Sequence, residues 1–193
     1  MKAILLAGAL GLTAAVVATA APVTYNIDPA HTYPSFEADH MGGLSVLRGT
    51  FKNSSGSIVL DKAAKSGTID ISIDATSLSF SNDKLSEHAK KDPKMFDVAN
   101  FPTATFKGKF TKFSGENPSE AQGDLTLHGV TKPVTLKIGQ FLCKQHPMTK
   151  KEVCGADATT TFNRYDFGIT YGDSFGFKPD VKVSIEVEAS PAS

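Results

Sequence analysis

Beyond residue 21 the chain is a succession of short runs in which apolar and polar residues alternate. Ile69, Ile71 and Ile73 alternate with Asp70 and Ser72. Leu125 and Leu127 alternate with Asp124 and Thr126, and Val134, Leu136 and Ile138 with Thr135 and Lys137. Val181, Val183, Ile185 and Val187 alternate with Lys182, Ser184, Glu186 and Glu188. A period of two puts one set of side chains on a buried face and the other in water, the pattern of antiparallel sheet. Less regular runs lie at Tyr25–Asp28, Ser35–His40, Val46–Phe51, Ser57–Leu60 and Thr159–Phe162, and around Phe106 and Phe110. Gly42-Gly43, Asn53 to Gly56, Ser66-Gly67, Ser114 to Pro118 and His128-Gly129 supply turn chemistry between them. Short strands at this spacing predict an all-β sandwich or barrel rather than βαβ units.

One stretch departs from the period. Ser81-Asn82-Asp83 caps a short helix running through Ala89, with Leu85 and Ala89 on one face and His88 beside them. Asp92-Pro93 then opens a second helical turn carrying Met95 and Phe96, which ends at Phe101-Pro102. The expectation is a helical segment near residues 82–97. No repeat or linker divides the chain, so residues 21–193 read as a single domain.

Closure of the sheet would fix an inward set: Phe36, Ala38 and His40; Leu47, Gly49 and Phe51; Ile69, Ile71 and Ile73; Ala104, Phe106, Gly108 and Phe110; Leu125 and Leu127. A barrel of about eight strands can be filled by its own side chains or hold one ligand. Gly49 and Gly108, beside Phe51 and Phe106, favour some room, although glycines also mark bulges and bends. On pattern alone a cavity and a packed core stay equally open.

The N-terminus changes the setting. Lys2, an apolar stretch from Ala3 to Ala18, and the small residues of Ala18-Thr19-Ala20 form the order of a cleavable secretory signal. The stretch is shorter than the roughly 20 residues a membrane-spanning helix requires. Residues 1–20 are therefore expected to be removed, after Ala20 or Ala21. Twenty basic and twenty acidic residues balance, which leaves no electrostatic footprint for nucleic acid or an anionic membrane. In an oxidising compartment Cys143 and Cys154 read as a disulfide stapling a polar loop that contains Pro147. The competing reading, a metal site with His146, fits no zinc spacing and lacks a fourth ligand.

Four stretches carry a resemblance. They are Tyr25-Asn-Ile-Asp-Pro-Ala-His31 continuing to Phe36-Glu-Ala-Asp-His40-Met41; His88 to Phe106, with Asp92-Pro-Lys-Met-Phe-Asp97 and Phe101-Pro-Thr-Ala-Thr-Phe106; Gly123-Asp-Leu-Thr-Leu-His-Gly-Val-Thr-Lys-Pro-Val134; and Arg164-Tyr-Asp-Phe-Gly168. Together they resemble the YceI-like family of bacterial periplasmic lipid-binding proteins. The resemblance implies a lipocalin-like antiparallel barrel, a periplasmic location, and an elongated apolar cavity for a polyisoprenoid, an isoprenoid quinone or a related long-chain amphiphile. Two departures from the family pattern fall near the expected mouth: Ala89 follows His88, and the paired aromatics are reduced to Met95-Phe96.

On this reading the tail lies along Phe36, Ala38, Phe51, Ile71, Phe106, Leu125 and Leu127. Leu85, Met95 and Phe96 shape the mouth, and His40, His88 and Arg164 are candidates for the polar head group. Arg164 has a structural alternative, a pairing with Asp166 or Asp97. His128 reads as a turn residue. No glycine-rich phosphate loop or histidine pair at metal-binding spacing is present. No catalytic residue, metal or covalent cofactor is assigned; a bound isoprenoid lipid or quinone is the expected partner. Nucleic acid and stable membrane insertion are not expected, and a homodimer is compatible with the chain. Two other readings stay open: a protein-interaction module with a packed barrel core, and a lipid-acting hydrolase or isomerase.

Overall fold

The computed structural model describes residues 21–192; the expected export signal, residues 1–20, lies outside them. Eleven strands and one α-helix follow in order. They are β1 (Val23–Ile27), β2 (Tyr33–His40), β3 (Ser45–Phe51), β4 (Ser54–Asp61), β5 (Ser66–Asp74), β6 (Leu78–Phe80), α1 (Asp83–Lys91), β7 (Thr103–Ser114), β8 (Asn117–Leu127), β9 (Val130–Gln145), β10 (Glu152–Asn163) and β11 (Asp180–Pro191). All strand pairs are antiparallel.

Eight strands close a ring in the order β1-β4-β5-β7-β8-β9-β10-β11, with β11 returning to β1 through Ile27↔Ala189 and Tyr25↔Pro191. The remaining three extend it at one end. β1 and β2 both pair with β11, one after the other along its length. β2 pairs with β3, and β3 with β6. Three long courses of the barrel are thus broken midway: β1/β2, β4/β3 and β5/β6.

Side-chain hydrogen bonds hold the breaks. Asp28 caps the 3-10 turn Pro29–His31 by accepting from Ala30 N at 2.8 Å. Asp74 caps Ala75–Ser77 by accepting from Thr76 N at 2.9 Å. Ser77 Oγ accepts from both Lys52 N and Asn53 N, which joins two of the breaks.

The helix begins where expected, with Asn82 accepting from Lys84 N and Leu85 N. It runs two residues past Ala89 and stops at Lys91. Asp92-Pro93 opens a single hydrogen-bonded turn and not a second helix: Met95 N donates to Asp92 O at 3.0 Å, and Asp92 Oδ1 accepts from Lys94 N at 2.8 Å. Pro93 holds Asp92 in an extended conformation (φ −73°, ψ 124°), which ends the helix instead of restarting it. Buried Ser86 accepts from Phe80 N at 2.9 Å, so α1 covers the free edge of β6.

Two turns also fall differently from expectation. Ser66-Gly67 belongs to β5, and the turn is residues 62–65; Ser54 to Gly56 belongs to β4. His128-Gly129 is the expected tight hairpin, with positive φ at both positions (52° and 74°) and Leu127 paired directly with Val130.

Inward residues alternate as the period requires, and Gly49 and Gly108 do face in. They do not leave empty space. A Cβ at Gly49 would lie 2.4 Å from Phe36 Cζ, and one at Gly108 would lie 2.9 Å from Phe106 Cε1. Each glycine is a seat for a phenyl ring, and the room lies elsewhere.

Candidate ligand chamber

Two apolar voids lie along the barrel axis. The inner one, about 190 Å³, is bordered by side chains from β4, β5 and β7 to β11, among them Ile58, Ile71, Phe106, Leu125, Ile138 and Ile185. Its lining is aliphatic or phenyl apart from Thr32 and Thr160. The outer one, about 450 Å³, lies at the end formed by the β2–β3 hairpin, α1 and the segment from Arg164 to Phe177. Pro34, Phe51, Leu127, Phe162 and Val183 border both, so the voids adjoin and these five side chains form the neck between them.

The barrel places the tail positions along this axis. Phe36 and Ala38 border the outer chamber, Ile71, Phe106 and Leu125 the inner one, and Phe51 and Leu127 the neck. Leu85, Met95 and Phe96 also border the outer chamber. Phe96 is held inward by Phe96 N donating to Ala89 O at 3.1 Å, and its ring lies 5.8 Å from Phe36 and 5.7 Å from Phe51. Ala89 is fully buried beneath this cluster, where a larger residue would collide with it.

The three polar candidates converge on the same chamber from three elements. His40, at the end of β2, stacks edge-on against Phe177 at 5.0 Å, with Nδ1 3.3 Å from Ser45 Oγ. His88, on α1, meets Tyr171 at 5.2 Å, with Nε2 3.7 Å from Asp92. Arg164 opens the 3-10 turn Arg164–Phe167 and is 6% exposed. Its Nη1 donates to Ile169 O at 2.8 Å, its Cζ lies 4.7 Å from the Tyr165 ring, and buried Nη2 has no partner. Burial lowers its pKa.

The carboxylate pairing expected for Arg164 does not form. Asp166 points outward on the same turn, and Asp97 Oδ2 accepts from Asn100 Nδ2 at 2.9 Å. None of the ion pairs among the described residues includes Arg164.

Several lining residues escaped the sequence reading. Tyr171, Phe175 and Phe177 come from an irregular segment after the last alternating run but one, where no period assigns a face. Their aromatic character among glycines was the available signal. Met41 and Phe175 border the chamber yet remain exposed, at 52% and 65%, and so form its rim.

At the far end Tyr25, Ile27, Leu60, Cys154 and Ala189 form a buried cluster. Cys143 and Cys154 are directly opposite on β9 and β10 and are disulfide-bonded. Lys62 Nζ donates to Cys143 Sγ at 3.2 Å, and Tyr25 donates to Glu152 Oε1 at 2.7 Å. Burial, then the bond and charge of Glu152, push the Tyr25 hydroxyl up from 10.0 to about 12. His146 Nδ1 accepts from Met148 N and Thr149 N, so it braces its own loop. His128 is more than a turn residue: Nδ1 reaches Phe167 O at 3.2 Å and its ring packs on Phe101.

The sequence profile of the YceI-like domain matches residues 25–189. The chain belongs to the YceI-like family. A UPF0312 protein of Pseudomonas putida strain W619 is 35% identical over 185 residues, covering 92% of this chain and 93% of its own. A UPF0312 protein of Pseudomonas fluorescens SBW25 is 36% identical over 169 residues, 84% of each chain. BcnA of Burkholderia cenocepacia superposes with a TM-score of 0.66 at 20% identity, over 85% of this chain and 99% of its own. A polyisoprenoid binding domain from Saccharophagus degradans superposes with a TM-score of 0.61 at 14% identity, over 88% and 99%. At these identities the two structures share the YceI-like fold, an all-β closed barrel with one short helix.

Proposed function

We propose that the protein is an exported, periplasmic binding protein that carries a long-chain isoprenoid, an isoprenoid quinone or a similar amphiphile, its tail in the inner chamber and its head in the outer one. The observation that carries this reading is the inner void, lined throughout by uncharged side chains and joined at a neck to a chamber that gathers His40, His88 and Arg164. The polyisoprenoid binding domain among the structures of the same fold supports it.

Burying a hydrocarbon tail is worth about 25 cal/mol per Å² removed from water. A bilayer offers the tail the same gain, so the preference for protein over membrane is small and binding is exchangeable. That balance suits a carrier. His40 Nδ1 lies 3.3 Å from Ser45 Oγ, but Ser45 borders neither chamber, so binding without turnover is the reading the geometry supports best.

Organic extraction and mass spectrometry of the protein purified from its native compartment test the proposal. One dominant amphiphile with a long hydrocarbon chain is expected, and Ile71→Arg, which sets a charge against the tail, should lose it. A folded Ile71→Arg protein that still carries the lipid would overturn the assignment of the tail.

A further inference from the structure

The guanidinium of Arg164 is short of one acceptor and is in contact with no carboxylate. Its Nη1 donates to a neutral carbonyl, Ile169 O. Nη2 is sealed from bulk water with no partner. A buried polar group without a partner is rare, and a buried charge without a counter-charge is rarer. The carboxylates around the mouth are engaged elsewhere. Asp39 Oδ2 accepts from Gly42 N at 2.9 Å and Lys178 N at 3.0 Å, which ties the β2–β3 tip to the segment before β11. Asp173 Oδ1 accepts from Ser174 N at 2.6 Å. Both act on Arg164 only at a distance.

We propose that Arg164 is the head-group subsite of the outer chamber and that it selects an anionic oxyacid, a carboxylate or a phosphate monoester, over neutral heads. This rests on the binding reading above and names the ligand's chemistry. The planar fork of arginine matches such oxygens, and a charge-assisted bond there is about twice as strong as a neutral one. A quinone carbonyl or an alcohol would offer the guanidinium an acceptor but no opposite charge. His40 and His88 border the same chamber and add ring nitrogens around the head, while Asp39, which also borders it, is held by its two backbone donors.

The test uses four ligands with one geranylgeranyl tail: geranylgeranoic acid, geranylgeranyl monophosphate, geranylgeraniol and menaquinone-4. Each displaces the neutral reporter N-phenyl-1-naphthylamine from delipidated mature protein at neutral pH. The acid, the monophosphate or both should bind at least tenfold tighter than the alcohol and the quinone, and whichever does so identifies the head. Arg164→Gln should bring the anion's affinity down to the alcohol's, and Arg164→Lys should restore part of the preference. If Arg164→Gln does not fold, the wild-type series and Arg164→Lys decide. Equal affinities across the four heads, or a tighter quinone, would overturn the subsite while leaving lipid binding intact. So would a preference that survives in Arg164→Gln, because the anion is then held by other groups. Failure of all four to displace the reporter would overturn lipid binding itself, and the subsite with it.

Discussion

Phe36 lies across Gly49, and the packing of the upper barrel depends on that missing Cβ. Phe36 also touches Phe51, Phe80 and Phe96 at centroid distances of 5.7 to 6.0 Å. Gly49→Ala forces the ring off its seat and into its neighbours, and overpacking of this kind costs about 1–3 kcal/mol. Urea denaturation should show a lower midpoint with an unchanged slope; an unchanged midpoint would mean that the ring has slack. At the other end, Tyr25 is protonated more tightly in the folded protein than in the unfolded chain. Its contribution is fully present below pH 10 and is lost as pH rises through about 12. Thermal unfolding followed by circular dichroism should show wild-type stability declining between those limits. Tyr25→Phe should decline less, and parallel curves would remove Tyr25 from the alkaline transition.

At the scale of elements, α1 is anchored at its first turn by Asn82 and along its length by Ser86 and Ala89. Asn82→Ala should lower stability by about 1 kcal/mol, with Asn82→Asp close to wild type, measured by chemical denaturation. A loss confined to the helical signal with an unchanged global midpoint would show that α1 frays independently of the barrel.

The strands were legible because alternation depends only on which face each residue takes, and closure preserved it from Ile69–Ile73 to Val181–Val187. Turn positions were less so. Ser66-Gly67 has turn chemistry, but the register of β4 against β5, Leu60↔Gly67 and Asp61↔Ser66, takes both residues into the ladder. The capping of α1 was readable, while its end was not, since Pro93 fits the start of a helix as well as it fits the extended chain that follows one. Arg164 was expected to find a carboxylate nearby in sequence. Its side chain and backbone instead bond to the main-chain carbonyls of Ile169 and Pro179, acceptors that no side-chain pattern reveals.

For the whole molecule, the neck divides the barrel interior into an outer and an inner chamber. Leu127 borders both chambers and is 9% exposed. Leu127→Trp should narrow the passage and discriminate by length. A geranylgeranyl amphiphile should lose affinity at least tenfold, while a short amphiphile such as octanoic acid, which the outer chamber alone can seat, should lose much less. Isothermal titration measures both, and equal losses would show that the two voids do not act in series.

Closure of the ring rests on β11. This last strand bonds to β10 along Cys154↔Ala189 to Asn163↔Asp180, to β2 from Val181↔Ala38 to Glu186↔Tyr33, and to β1 through Ile27↔Ala189. Until Asp180–Pro191 is in place, the sheet has two open edges and the chambers have no wall on that side. Closure therefore waits for β11, and the cavity exists only once β11 has joined β10 to β1, a pairing of strands far apart in the chain and of the kind that forms late.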